Sequence, residues 1–345
     1  MIFAMSILIL FGILNLMGVK KAGYVQSILA VLLVSSVFTL TITALLSPKT
    51  QLANITPIWG FDKAAAMAAV SNGTYTGIDQ FAKSGTTGII SSVLATFAIA
   101  PWAFVGFDTI PQAAEEFNFS YKKVSFIMIV AIIFGCFVYT ANNTIAAAAL
   151  ANWPELIIHS ETTPWLLLSA AEYLLGLPGK ILVGVAVSSA VLSGIMGFYL
   201  ASSRLLYSMS REGYLPAFFS VVDEKYGVPR NSMIFCLLIS LCGPILGREA
   251  LGWFVDMSAI GASIGFGFTC LSTLVTLKRD GDGTVFIKVS AVMGAIFSVL
   301  FMILQLVPIP GLQGVHFVKE SYIMLVIWIV IGTVFYFMKR NNFND

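Results

Sequence analysis

The residues of most chemical interest lie in a long apolar segment that is interrupted around an acidic side chain. Pro101, Gly106 and Pro111 fall within eleven positions, and Asp108 lies between the last two of them. Each proline removes a backbone donor, and glycine lowers the stability of a helix by about 1 kcal/mol relative to alanine. Backbone groups that lose their helical partner at membrane depth persist only where they are buried in protein or line a polar cavity. The segment therefore predicts a broken membrane helix that contributes to a binding cavity.

Asp108 has two compatible interpretations. An acidic group at the centre of a membrane span costs about 2.5–3.5 kcal/mol on insertion scales, so a use in gating or coupling is expected. The alternative is that the carboxylate caps the inner half-helix that starts at Thr109. Glu115 and Glu116 follow shortly before Lys122. The sequence supports a gating role for them and a salt-bridged position at the membrane interface equally.

The composition identifies the solvent around these residues. Of the 345 residues, 58% are hydrophobic and only 10% are charged, whereas a soluble domain has about 25% charged residues. So few charges cannot cover a water-exposed surface of this size, whereas a lipid-facing surface needs none. A net charge of +2 and the lack of any lysine or arginine run longer than two argue against nucleic-acid binding. The four cysteines lie in apolar segments without CxxC spacing, so neither a disulfide framework nor a metal site is expected.

Nine apolar segments approach the length of about 20 residues that a helix needs to cross the bilayer. They cover residues 2–17, 24–47, 88–113, 124–150, 181–207, 232–247, 251–277, 285–307 and 321–338. A shorter apolar segment, 164–176, contains Glu172 and is predicted to form a helix on the outer surface. The sequence therefore predicts an all-α integral membrane protein with about nine transmembrane helices.

The positive residues predict the orientation of these spans. With the N-terminus outside, thirteen of the nineteen lysine and arginine residues fall on the inner side, as the positive-inside rule requires of short loops. The C-terminus is then cytoplasmic. Met1 leads directly into an apolar segment, with Lys20 and Lys21 after it, which is the opposite of a signal peptide. The preferred interpretation is that helices upstream of Met1 are missing.

Three motifs resemble the amino acid/polyamine/organocation permeases, a family with a five-plus-five inverted repeat and two added helices. Residues 104–116 read FVGFDTIPQAAEE and are similar to the unwound sixth helix of the family. Residues 203–216 read SRLLYSMSREGYLP, and residues 227–231 read GVPRN; both resemble the end of the eighth helix and its cytoplasmic loop. Residues 15–20, NLMGVK, give a weaker match to the turn between the fourth and fifth helices. The nine spans then correspond to the family's helices four to twelve.

The resemblance implies roles for individual residues of the broken span. Trp102 resembles the aromatic side chain that closes over bound substrate. Phe104, Val105, Gly106 and Phe107 resemble the unwound stretch that contacts substrate.

The resemblance extends to further residues. Asp108 resembles the acidic residue below the unwound stretch. In the span that matches helix eight, Ser188, Ser189 and Ser193 either face the cavity or bond to their own preceding turn, and the second interpretation is slightly favoured. Some proton-coupled members of the family carry a lysine in helix five. Leu33 or its neighbours stand at that position here, so proton coupling through such a lysine is not supported.

The resemblance also implies a division of the chain into parts. Residues 1–47 would supply the last two helices of the first repeat, and residues 48–87 an extracellular loop. Residues 88–277 would form the second repeat, with its broken helix at 88–113. Residues 278–345 would form two accessory helices and a cytoplasmic tail.

The implied function is secondary active transport of amino acids or related organic amines across the plasma membrane, driven by a proton or sodium gradient and without another cofactor. Because the family's first three helices have no counterpart here, the chain as written is expected not to transport. A non-transporting remnant or sensor is the main alternative. An embedded enzyme is disfavoured because His159 and His316 both fall in predicted outer loops.

Overall fold

The computed structural model describes residues 1–55, 60–83, 85–112, 120–158, 165–247, 250–281, 283–309 and 316–339. These residues form thirteen α-helices, with no strand beyond one antiparallel bridge between Phe61 and Ala82. The helices are α1 Ile2–Leu16, α2 Val19–Leu46, α3 Lys63–Ser71, α4 Gly85–Ala103, α5 Thr109–Gln112, α6 Tyr121–Ala149, α7 Trp153–Ile158, α8 Leu166–Leu175, α9 Leu177–Arg211, α10 Arg230–Leu246, α11 Ala250–Asp280, α12 Val285–Leu306 and α13 Lys319–Lys339.

The lengths and composition of these helices confirm the prediction of an integral membrane fold. In the described part of the chain, α2, α6, α9, α11, α12 and α13 are long and apolar enough to cross a bilayer. The predicted spans at 2–17, 88–113 and 232–247 correspond to the shorter apolar helices α1, α4 and α10, of 15, 19 and 17 residues. At 1.5 Å per residue these three helices are shorter than a hydrocarbon core of about 30 Å.

The middle of α13 is apolar on every side. In α13 the four consecutive side chains Ile327, Trp328, Ile329 and Val330 are each at least half exposed. Because successive residues of a helix point about 100° apart, this run covers the whole circumference of α13. A helix that is apolar all round and exposed requires a lipid environment.

The segment predicted as a surface helix forms α8, and one of its faces is covered by other helices. Ala170 and Ala171 are fully buried, and α8 packs against the ends of α2, α6 and α9. Gly176, at φ +67°, joins α8 directly to α9, a conformation that favours glycine. On the exposed side, Glu172 forms an ion pair of 2.6 Å with Lys180.

The loop predicted at 48–87 is folded onto the end of α6. Asn54 Nδ2 donates to the Ala148 carbonyl at 2.9 Å, and the indole of Trp153 donates to the Asn54 carbonyl at 3.0 Å. The Tyr75 hydroxyl donates to Glu155 at 2.6 Å. Desolvation and this hydrogen bond raise the pKa of Tyr75 to about 12. The bond from Asn54 supplies a partner to a carbonyl in the last turn of α6, which otherwise needs water or a cap.

In the interior, α4 packs against α11 and α12. Phe97 of α4 packs against Phe297 and Phe301 of α12, with ring centroids 5.7 and 4.5 Å apart. The buried amide of Gln305 on α12 donates to the Ala98 carbonyl of α4 at 3.4 Å. The C-terminal half of α4 is therefore anchored to α12 shortly before the helix ends at Ala103.

Candidate functional site

The helix that carries the predicted site is interrupted after Ala103. Residues 104–108 form turns between α4 and α5. The amide of Phe104 bonds to the Ala100 carbonyl at 3.2 Å, but the next amide, that of Val105, bonds three residues back, to Trp102, at 3.1 Å. Gly106 has φ +136°, which glycine adopts at little cost and other residues adopt poorly. The glycine, more than either proline, marks where the helical path ends.

The carboxylate of Asp108 participates in the turn itself. Its Oδ1 accepts the Gly106 amide at 2.8 Å, and the Thr109 hydroxyl donates to the Gly106 carbonyl at 2.6 Å. Both backbone groups of Gly106 are thus bonded to side chains that follow it. Asp108 therefore stabilises the break by binding Gly106, a local role different from capping the start of α5.

Two aromatic contacts hold the break against neighbouring helices. Phe104 meets Tyr139 of α6 edge to face, with ring centroids 5.8 Å apart and an interplanar angle of 82°. Phe107 stacks on Phe266 of α11 at 5.5 Å and 28°. Such pairs contribute about 0.5–1.5 kcal/mol each beyond their burial. Phe104 and Phe107 thus attach the break to α6 on one side and to α11 on the other.

A cavity of about 870 Å³ opens beside the break. Its volume lies within the range of about 300–1,000 Å³ that is typical of small-molecule sites. The lining residues are Leu8, Trp102, Ala103, Val105, Tyr139, Ala190, Val191, Gly194, Ile195, Phe198, Tyr199, Ser202, Cys236, Ser240, Leu251, Phe254, Val255 and Ser258. The wall is mostly apolar, with a few hydroxyl groups and no charged side chain among the described lining residues.

The structure brings some of the predicted residues to this cavity and leaves others away from it. Trp102 and Val105 line the wall, whereas Phe104, Gly106, Phe107 and Asp108 shape the break behind it.

Ser188, Ser189 and Ser193 do not belong to the lining of this cavity. From α9 the lining takes Ala190, Val191, Gly194, Ile195, Phe198, Tyr199 and Ser202. Ser189 is buried, and the Ser193 hydroxyl donates to the Ala190 carbonyl at 3.1 Å, three residues back. Glu115 and Glu116 lie outside the described residues.

The lining also includes residues that the sequence did not single out. From α11, Leu251, Phe254, Val255 and Ser258 face the cavity. Their spacing of three, four and seven positions defines one helix face, but nothing in the sequence tells which face is turned toward the site. Tyr139 of α6 is a second example. A hydroxyl group within an apolar span was its only signal.

A second, smaller cavity of about 360 Å³ lies between α2, α6, α8 and α9. Leu33, which stands near the position of a lysine in some permeases, lines it. Tyr139 and Ala190 line both cavities. These two side chains therefore belong to the partition between the two spaces.

Comparisons with known proteins agree with this architecture. A family model described as amino acid permease matches residues 1–335. The chain is 24% identical to the cationic amino acid transporter 3, mitochondrial, of Arabidopsis thaliana over 55% of its own length and 29% of the relative's. It is 24% identical to the methylthioribose transporter and 23% identical to the branched-chain amino acid permease BcaP of Bacillus subtilis, over 75% of its own length and 52% of theirs. The chain thus spans between about a quarter and a half of the curated relatives it matches.

Proposed function

The chain belongs to the amino acid permease family, and from this premise we propose that its residues form the substrate-binding part of a secondary transporter of amino acids or related organic amines. The observation that carries the proposal is the cavity of about 870 Å³ beside the break, with Trp102 and Val105 on its wall. Discontinuous helices at such cavities bind transported substrates near the bilayer midplane. Transport would proceed by alternating access, driven by a proton or sodium gradient across the plasma membrane.

The lining of the cavity favours substrates with neutral side chains. A cationic side chain in a largely apolar cavity needs a paired carboxylate, because an uncompensated charge there is very unfavourable. The described wall provides the hydroxyl groups of Ser202, Ser240 and Ser258 beside apolar side chains, and the carboxylate of Asp108 is bonded to Gly106. We therefore expect neutral amino acids to bind better than lysine or arginine.

Uptake into proteoliposomes tests this function. Residues 1–345 are measured alone and also joined to the first three helices of a family member, with labelled leucine and with an imposed proton or sodium gradient. Saturable, gradient-dependent uptake by either protein, inhibited more strongly by unlabelled alanine than by arginine, supports transport of neutral substrates. Binding without uptake in either protein would favour the alternative of a sensor, and neither binding nor uptake would favour a non-functional remnant.

Replacing Trp102 by alanine is expected to raise the KM for the transported amino acid about ten-fold and to change turnover by less than about two-fold. The indole forms part of the apolar cavity wall, and losing such a contact removes about 1.5–3 kcal/mol of burial. Because the contact is made to bound substrate, the loss should appear in KM. Trp328→Ala, an exposed tryptophan of α13, is the control and should leave KM unchanged. Equal KM values for the Trp102 variant and the parent would remove Trp102 from the site.

The orientation of the chain is tested by thiol labelling in intact cells. Single cysteines at Lys122 and Arg211 are expected to be protected from an impermeant reagent, whereas a cysteine at Lys63 should react. The reason is the excess of lysine and arginine on the proposed cytoplasmic side. Labelling of position 122 from outside would reverse the proposed topology. Labelling of all three positions after permeabilisation is the control for accessibility.

A further inference from the structure

Tyr139 of α6 makes the polar contact between that helix and the end of α4. Its hydroxyl donates to the Ala103 carbonyl at 2.6 Å. Its ring meets Phe104 at 5.8 Å. One turn earlier on α6, a Cβ added to Gly135 would lie 3.7 Å from the Phe104 ring, an ordinary van der Waals distance, so Gly135 lies directly beside the ring. Gly135 and Tyr139 therefore form a surface that fits the first residue of the break.

The hydrogen bond of Tyr139 solves a chemical problem that the break creates. Ala103 is the last residue of α4, and in an unbroken helix its carbonyl would accept the amide of Phe107. Because the chain leaves the helical path at Phe104, that carbonyl needs another donor. In an apolar surrounding a carbonyl without a donor is costly. A phenol is well suited to this place, since its ring packs against Phe104 while its hydroxyl reaches the carbonyl.

We propose that Tyr139 is a positioning residue of the substrate site, which fixes the end of α4 so that Trp102 and Val105 face the larger cavity. The inference rests on the proposed function of that cavity, but it concerns the conformation of the break and does not require Tyr139 to bind substrate. Tyr139 also lines both cavities. Its ring therefore keeps the substrate space separate from the apolar space between α2, α6 and α9.

The structure supplies a matched control for this hydrogen bond. The Tyr322 hydroxyl donates to the Leu306 carbonyl at 2.7 Å, and Leu306 is the last residue of α12. Tyr139→Phe and Tyr322→Phe thus each remove a hydroxyl group that donates to the last carbonyl of a helix. The first bond is at the end of α4, beside the cavity, and the second is at the end of α12. Both should lower thermal stability to a similar extent, so stability alone does not separate the two positions.

The test measures the accessibility of position 105 in the break and does not require transport. The cysteines at 136, 236, 242 and 270 are replaced by alanine, a cysteine is placed at Val105, and its rate of reaction with a small maleimide is measured in the purified chain. Tyr139→Phe should raise this rate about five-fold, whereas Tyr322→Phe should leave it within about 1.5-fold. Phe104→Leu, which keeps the hydroxyl bond and removes the ring contact, should have an intermediate effect. In a preparation that transports, Tyr139→Phe should raise KM about five-fold with little change in turnover.

The possible results are distinct for the two proposals. An unchanged reaction rate in a folded Tyr139→Phe variant, or equal changes in both tyrosine variants, would overturn the positioning role even if uptake is normal. A raised rate specific to Tyr139→Phe supports the role even if no uptake is found, in which case only the transport proposal fails. If Tyr139→Phe does not fold, the Phe104→Leu variant decides, since an unchanged rate in that variant would contradict the proposed contact.

Discussion

Gly106→Ala, which adds only one methyl group, should lower kcat/KM for uptake by about 30-fold. Gly106 has φ +136°, and holding a residue other than glycine in such a region costs about 1–3 kcal/mol. No heavy atom lies within 4 Å of a Cβ built at Gly106, so steric overlap with neighbouring residues does not contribute. The cost falls on the backbone conformation that turns the chain away from α4. Since about 1.4 kcal/mol corresponds to a factor of ten, a penalty near 2 kcal/mol gives the expected loss.

Gly184→Ala provides the comparison for this substitution. Gly184 lies within α9, and a Cβ added there also meets no heavy atom within 4 Å. It does not have a positive φ, so alanine at this position should be neutral or should stabilise the helix by up to about 1 kcal/mol. Uptake kinetics and thermal stability of both variants are measured in the same preparation. Equal, near-normal uptake in the two variants would show that the conformation of Gly106 is not needed for function.

Asp108→Asn is expected to lower turnover about 100-fold, while KM changes by less than about three-fold. Asparagine keeps an oxygen that can accept the Gly106 amide, which Asp108 Oδ1 binds at 2.8 Å. The substitution therefore preserves the local bond and deletes the charge. A side chain that transfers protons contributes to turnover by factors of about 10²–10⁴. The prediction follows from the proposed coupling role of this carboxylate.

Asp108→Ala separates the two roles of the side chain. Alanine removes both the acceptor and the charge, so it should also disturb the break and raise maleimide reactivity at position 105. Asparagine should leave that reactivity unchanged. Full turnover of Asp108→Asn would show that Asp108 acts only as a hydrogen-bond acceptor for Gly106.

The fold was largely predictable because hydropathy is a property of whole segments. Eight of the nine apolar segments each correspond to one helix, and the segment 88–113 contains α4 and α5. The family resemblance was confirmed by a match over residues 1–335. The helix bounds were less predictable. α9 runs from Leu177 to Arg211, beyond the predicted span 181–207, because residues at the membrane interface continue the helix after the apolar run ends. The membrane orientation stays a prediction.

The break in the helix could be predicted from local sequence. The residues that line the cavity could not. Proline and glycine act on the backbone wherever they occur, so the interruption near Gly106 follows from the residue types. Which side chains reach the cavity depends on helix rotation, and one residue along a helix is a turn of about 100°. Ala190 therefore lines the cavity while Ser189 does not. The contact of Tyr139 with Ala103 joins residues 36 positions apart, and no local pattern encodes it.

The most direct test of the central claim is protection of the break by substrate. A single cysteine at Val105, on the wall of the larger cavity, is reacted with maleimide at increasing concentrations of a transported amino acid. The site proposed here predicts that the reaction slows at least five-fold, with a half-maximal concentration that matches the KM for uptake. A cysteine at the exposed Ile327 of α13 should show no protection. An unchanged rate at position 105 with saturating substrate would contradict the assignment of this cavity as the substrate site.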